Sequence, residues 1–124
     1  MSAMTEILLE TQTVPQTGRL MVSVHREVQI NISAAEAQNR VTQFVHRKIS
    51  SQMHGEAPTL ILGGRTCWRV PVHLTFPSFG DVGRVGVLDV DVESGELQIN
   101  TTIIQEIERY AKDIARRITP TATR

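Results

Sequence analysis

The sequence predicts an α+β fold: an antiparallel sheet of four to five strands packed on a long helix, with a second, C-terminal helix. Three observations predict it. Apolar and polar residues alternate from Leu20 to Ile32. A capping box at Ser33 opens an apolar stripe at helical spacing. Between Leu60 and Ile99, glycine-punctuated alternating runs lead to a second helical stripe.

Along the first run, Leu20, Val22, Val24, Val28, Ile30 and Ile32 share one face, and Ser23, His25, Glu27, Gln29 and Asn31 the other; only Arg26 breaks the apolar row. A long strand buried on one face is expected there. In Ser33-Ala34-Ala35-Glu36 the Ser33 hydroxyl can accept from the Glu36 N–H while the Glu36 side chain reaches back. Ala37, Val41, Phe44, Val45 and Ile49 then recur at helical spacing, with Met53 extending the stripe, so a helix over about 34–53 is expected, stopped by Gly55 and the Ala57-Pro58 step.

Leu60-Ile61-Leu62 and Arg65–Phe76 read as two strands joined at Gly63-Gly64, a two-residue turn needing positive φ at both positions. Trp68, Val70, Val72, Leu74 and Phe76 face inward, opposite Arg65, Cys67, Arg69, Pro71, His73 and Thr75, and Pro71 marks a bulge or an edge. After a turn at Pro77–Asp81, the strand Val82–Glu93 changes phase, which a bulge near Gly86 explains. Glu93-Ser94-Gly95-Glu96 is a tight turn into a short strand at Leu97–Ile99. Asn100 or its threonine neighbours cap a helix whose stripe is Ile104, Ile107, Ala111, Ile114 and Ile118, ended by Pro120. The division expected is an arm over 1–18, one domain over 19–119 and a tail over 120–124.

Trp68-Arg69-Val70-Pro71-Val72, a glycine-bearing turn, Gly86-Val87-Leu88-Asp89-Val90-Asp91 and Ser94-Gly95-Glu96 resemble the PepSY-like pattern over about residues 60–98, with Ser94 where that family has Thr. The resemblance implies a helix packed across an antiparallel sheet, in an interaction or inhibitory module with no catalytic residues to carry over. The strand–helix–strand opening also resembles cystatin-like folds, without their inhibitory Gln-x-Val-x-Gly loop.

Composition narrows function by exclusion. Thirteen Lys and Arg balance thirteen Asp and Glu, which argues against a dedicated nucleic-acid binder. One cysteine permits no intrachain disulfide and suits a cytoplasmic protein. No apolar run is long enough to span a membrane. Asp89, Asp91 and Glu93 fail the calcium-loop template, since Ser94 and Asn100 stand where it needs Gly and Glu. Cys67 and His73 lie about 20 Å apart along a strand at roughly 3.3 Å per residue, too far to share a proton. Gly80, Gly83 and Gly86 precede no helix and are turn and bulge glycines rather than a dinucleotide fingerprint. His25, His46, His54 and His73 show no metal-ligand spacing, His46 and His54 both falling on the expected first helix.

No catalytic, cofactor or metal residues are therefore assigned. The expected function is a non-enzymatic interaction or regulatory module of a bacterial type. Its partner surface, a homodimer or another protein, is the C-terminal helix through Ile103, Ile104, Ile107, Ile114 and Ile118. Arg65, Arg69 and His73 form a candidate anion-contact face, with an Arg69–Asp91 pair as register marker. The alternative is a small-molecule or enzymatic domain with a pocket between helix and curved sheet.

Overall fold

The computed structural model describes residues 7–9, 16–23 and 25–118. Its order is β1 (Ile7–Leu9), α1 (Ala34–Lys48), β2 (Met53–Gly55), β3 (Thr59–Leu62), β4 (Cys67–Phe76), β5 (Gly80–Asp91), β6 (Leu97–Gln98) and α2 (Thr101–Ile118). The fold is α+β, as the patterning predicts. The strands form one six-stranded sheet, β1-β3-β4-β5-β6 with β2 also on β4, antiparallel except where β1 runs parallel to β3. The extra strands are short: β1 comes from the Ile7-Leu8-Leu9 cluster in the expected arm, and β2 from residues the sequence gives to the first helix.

Helix α1 starts at the predicted capping box, Glu36 N donating to Ser33 Oγ at 3.1 Å and Ser33 N to Glu36 Oε1 at 3.4 Å. It ends at Lys48, five residues earlier than the expected 53. Ser50 N returns to the Val45 carbonyl at 2.7 Å, and the chain turns back so that Met53 enters the core from β2, opposite Leu74. An apolar stripe records which residues are buried but not the element that buries them, and Met53 satisfies it from a strand.

Strands β2 and β3 lie end to end along the same side of β4. Glu56, Ala57 and Pro58 bridge them where β4 supplies Pro71 and Val70, so the register slips by one residue. Glu56 N donates to the Pro71 carbonyl at 2.8 Å. The N and C=O of a strand residue point to the same side, so the nitrogen that lacks a proton faces this slip. That placement lets a proline sit in a central strand.

The Trp68, Val70, Val72, Leu74 row of β4 is buried as expected. Opposite it, β5 carries two bulges rather than one. Pairing steps from Val72–Gly86 to His73–Arg84 and from Leu74–Gly83 to Thr75–Asp81, leaving Val85 and Val82 as the extra residues. The bulge brings Val85 inward with Leu88, Val90 and Val92, while Val87, opposite Pro71, stays on the outer face.

Two further expectations are corrected. Gly63 and Gly64 do not adopt positive φ, and the last β3–β4 pair is Ile61–Cys67, so residues 63–66 form a wider loop in place of a type I′ turn. Residues 20–32 form no strand among those described: Leu20, Met21, Val22 and Ile30 are exposed, and the segment meets the sheet where Asn31 and Ile32 both donate to the Val92 carbonyl at 2.8 and 3.1 Å. Alternation makes a segment strand-competent but does not decide pairing: Arg26 interrupts this row, and of its described residues the core takes Ile32 and, in part, Val28, so burial rewards little of the strand.

Both helices lie on one face of the sheet, each seated on a glycine. A Cβ on Gly55 would come within 2.9 Å of Val70 Cγ1 and 3.1 Å of the Gln38 carbonyl of α1. Gly55 N donates to Thr42 Oγ1 at 2.9 Å and its carbonyl accepts from Gln38 Nε2 at 3.0 Å, so two side chains one helical turn apart satisfy the edge of β2. A Cβ on Gly86 would lie 2.6 Å from Ile107 Cγ1 of α2. The opposite face carries no helix among the described residues.

Candidate functional site

Two surfaces carry chemistry: the helix-free face of the sheet, and the outer edge of β5 beside α2.

On the helix-free face, strand alternation places Arg69, Pro71, His73 and Thr75 of β4 between His54 and Glu56 on one side and Asp81, Arg84 and Asp89 of β5 on the other. Each basic residue of the expected anion-contact face meets a carboxylate. Arg69 pairs with Asp89 in a bidentate bridge, Nε to Oδ1 at 2.9 Å and NH2 to Oδ2 at 3.0 Å. Arg65, on the exposed β3–β4 loop, has Nε 3.7 Å from Asp91 Oδ2. His73 Nδ1 lies 2.9 Å from Asp81 Oδ2. The expected Arg69–Asp91 partnership is corrected by register: Arg69 faces Asp89, and Asp91 faces Cys67. The β4–β5 turn is centred on Ser78 rather than Gly80, Phe76 pairing with Gly80.

Asp91 has a further task. Its Oδ1 accepts from Glu93 N at 2.8 Å and Ser94 N at 3.0 Å, forming the turn into β6 that Gly95 completes at φ 78°. The Ser94 and then the Glu93 amide hydrogen bonds hold its carboxyl below the ordinary aspartate value, against a smaller opposing effect of burial. Since the folded pKa is depressed, the stability this carboxylate contributes is present above the unfolded value of about 3.9 and is lost as pH falls through the folded one. Asp91→Ala is expected to destabilise by about 1 kcal/mol at pH 7, the scale of a lost cap. The deficit should shrink in urea melts below pH 3; an equal deficit at both pH values would show that the charge is immaterial.

The histidines are where sequence reasoning falls short. His54 lies in β2, not on the first helix, directly opposite His73 of β4, with ring centroids 6.0 Å apart. The His54 Nε2 faces the Glu56 carboxylate, and its Nδ1 lies 3.4 Å from Thr75 Oγ1. Asp81 completes the group from β5, its Oδ1 also accepting from Gly83 N at 2.9 Å. The hydrogen bond from His73, followed by that from Gly83, holds the Asp81 carboxyl below its ordinary value, with desolvation opposing. Ligand atoms of His54, Glu56 and Asp81 lie within 4.8 Å of one another. The His54-x-Glu56 spacing, which puts both side chains on one strand face, is the local signal for this cluster.

The second surface follows β5. Strand β6 pairs with β5 only at Asp89 and Val90, so among the described residues Gly80–Leu88 is an open edge. Beside it lies a cleft of 530 Å³ lined by Arg84, Val87, Asp89 and Gln98 from the sheet and Ile103, Glu106 and Tyr110 from α2. Helix α2 is capped by Asn100, whose Oδ1 accepts from Ile103 N at 2.8 Å. Of the expected interaction stripe, Ile107 is in the core and Ile103 and Ile114 pack against it, while Ile104 and Ile118 are half-buried. Ile103, expected beside the seam, thus belongs to the inward face, because the helix is turned to set Ile107 over Gly86.

No family model, curated protein or solved structure matches this chain. The PepSY-like and cystatin-like resemblances accordingly gain nothing from comparison. The fold and its surfaces define an α+β domain with both helices on one sheet face, the other face bearing paired charges. No helix among the described residues is long and apolar enough to cross a membrane.

Proposed function

We propose that this chain is a non-enzymatic protein-interaction or regulatory module of a bacterial, cytoplasmic type, acting as a homodimer joined along the open edge of β5 and flanked by α2. The observation that carries the proposal is that edge, with its cleft. An unpaired strand offers outward N–H and C=O groups that a second strand satisfies, and a copy of β5 running antiparallel does so symmetrically. The cleft holds Arg84 together with Asp89 and Glu106, so two copies related by a twofold axis present both signs to each other, and Tyr110, 51% exposed, stands at its rim.

The non-enzymatic reading draws support from the interior. Between α1 and the sheet, Ala37, Val41, Val45, Val70 and Val72 are all 0% exposed, so aliphatic side chains fill the space a polar pocket would need.

Val87 gives a clean test. It pairs with Pro71, whose carbonyl points away from β5 toward Glu56, so Val87 directs its own N–H and C=O away from β4 into the open edge. Val87→Pro removes an outward donor without removing a β4–β5 ladder bond. Light scattering at high micromolar concentration is expected to give a dimer for the wild type and a folded monomer, by circular dichroism, for Val87→Pro. A monomeric wild type would overturn the dimer, as would a Val87→Pro protein that remains dimeric. Substituting Ile107 instead would probe folding, since that side chain is only 2% exposed.

A further inference from the structure

We infer that the helix-free face carries a binding site for one divalent transition-metal ion of the zinc class, with His54, Glu56 and Asp81 as its ligands and His73 as the positioning residue behind Asp81. The site shares strand β5 with the proposed dimer edge through Asp81, but none of its three ligands lines the cleft, and it does not depend on the homodimer reading.

The donor set is brought together by the sheet. His54 and Glu56 are alternate residues of one edge segment, and Asp81 projects from β5 two strands away, past Thr75 of β4. One imidazole nitrogen and two carboxylates form a mixed N/O set of the kind that suits zinc and its first-row neighbours; calcium, by contrast, takes oxygen ligands alone. Donors about 2.0–2.1 Å from a tetrahedral ion lie about 3.3 Å from one another. The ligand atoms here are already within 4.8 Å, and the Glu56 side chain, 42% exposed, has room to close the remaining gap by rotation while Asp81 is held in place. With three protein ligands on an open face, the fourth position falls to water or to an anion.

The surroundings supply the orienting contacts that metal ligands need. His54 Nδ1 is directed at Thr75 Oγ1, which leaves Nε2 facing Glu56 and the metal position. His73 Nδ1 reaches both Asp81 oxygens, at 2.9 and 3.1 Å, and Gly83 N holds Oδ1. Two carboxylates this close repel each other, and a divalent cation between them removes that repulsion.

The test uses the full chain without an affinity tag. Zinc titration followed by calorimetry should give one ion per chain, and cobalt(II) should show the intense visible absorption of a four-coordinate site. His54→Ala and Asp81→Ala are expected each to weaken zinc binding by at least about 100-fold and to abolish the cobalt spectrum. His73→Gln should weaken it by about 10–100-fold while keeping the stoichiometry, the effect of losing a contact behind a ligand. His46→Ala, on the exposed side of α1, should change neither. Circular dichroism checks that each variant is folded. Zinc binding by the wild type no tighter than by folded His54→Ala, or binding that His46→Ala weakens equally, would overturn the site.

Discussion

Trp68→Ala is expected to cost about 3–5 kcal/mol, a large share of what holds a domain of this size together. Trp68 is 6% exposed, in the core cluster that also contains Val45 and against which Phe44 packs, and its burial agrees with the apolar alternation of β4. Two losses combine in the variant. A large aromatic volume leaves a cavity among residues that cannot collapse, and the indole N–H no longer donates to the Ile32 carbonyl, a bond of 2.6 Å. That bond also ties down the segment entering α1, since Ile32 precedes the Ser33 cap. Trp68→Phe keeps most of the apolar area and loses the bond, so it should fall between wild type and alanine. Urea melts followed by far-UV circular dichroism measure both, because the variants remove the chain's one tryptophan fluorophore. A loss below about 1 kcal/mol for Trp68→Ala would mean the side chain is exposed.

Gly86→Ala is expected to cost about 1–3 kcal/mol by overpacking, although it adds a single methyl group. Gly86 does not have positive φ, so alanine meets no backbone penalty there. The cost is steric: the new Cβ would sit 2.6 Å from Ile107 Cγ1 and 3.3 Å from its Cδ1. Helix α2 must lift off β5 or the isoleucine must leave its place. Ile107→Ala alone should cost about 2–5 kcal/mol through the cavity it leaves. The double variant is the discriminating measurement. Removing the isoleucine branch makes room for the alanine methyl, so Gly86→Ala should cost almost nothing in the Ile107→Ala background. Additive costs would mean that α2 does not rest on Gly86.

Local chemistry made much of this protein legible in its sequence. The Ser33–Glu36 capping box, the Asn100 cap, the inward row of Trp68 to Leu74 and the Gly95 turn each depend on residues within one turn or one strand of each other, and patterning finds such features. The α+β class follows from them. The errors share a different origin. The alternation of Leu20–Ile32 resembles that of β4, yet its described residues form no ladder, because only Ile32 and, in part, Val28 are drawn into the core. Met53 continues a helical stripe on paper and His54 falls on the expected first helix, but both lie in β2, where Met53 is buried opposite Leu74. The partner of Arg69 is set by the turn centre at Ser78 and by the two bulges in β5, neither of which alternation fixes.

What the sequence by itself determined, then, is the set of elements with strong local signals and the residues their inward faces bury. Only the tertiary structure decided which strands became neighbours, that both helices share one sheet face over Gly55 and Gly86, and that His54, Glu56, His73 and Asp81 converge. The reason is physical. Capping, turn and alternation energies act between residues close in the chain, whereas strand order and register are set by long-range burial and edge pairing. A one-residue bulge at Val82 or Val85 shifts every cross-strand partner beyond it. Such a shift leaves composition and periodicity unchanged, yet it determines which side chains meet on the open face.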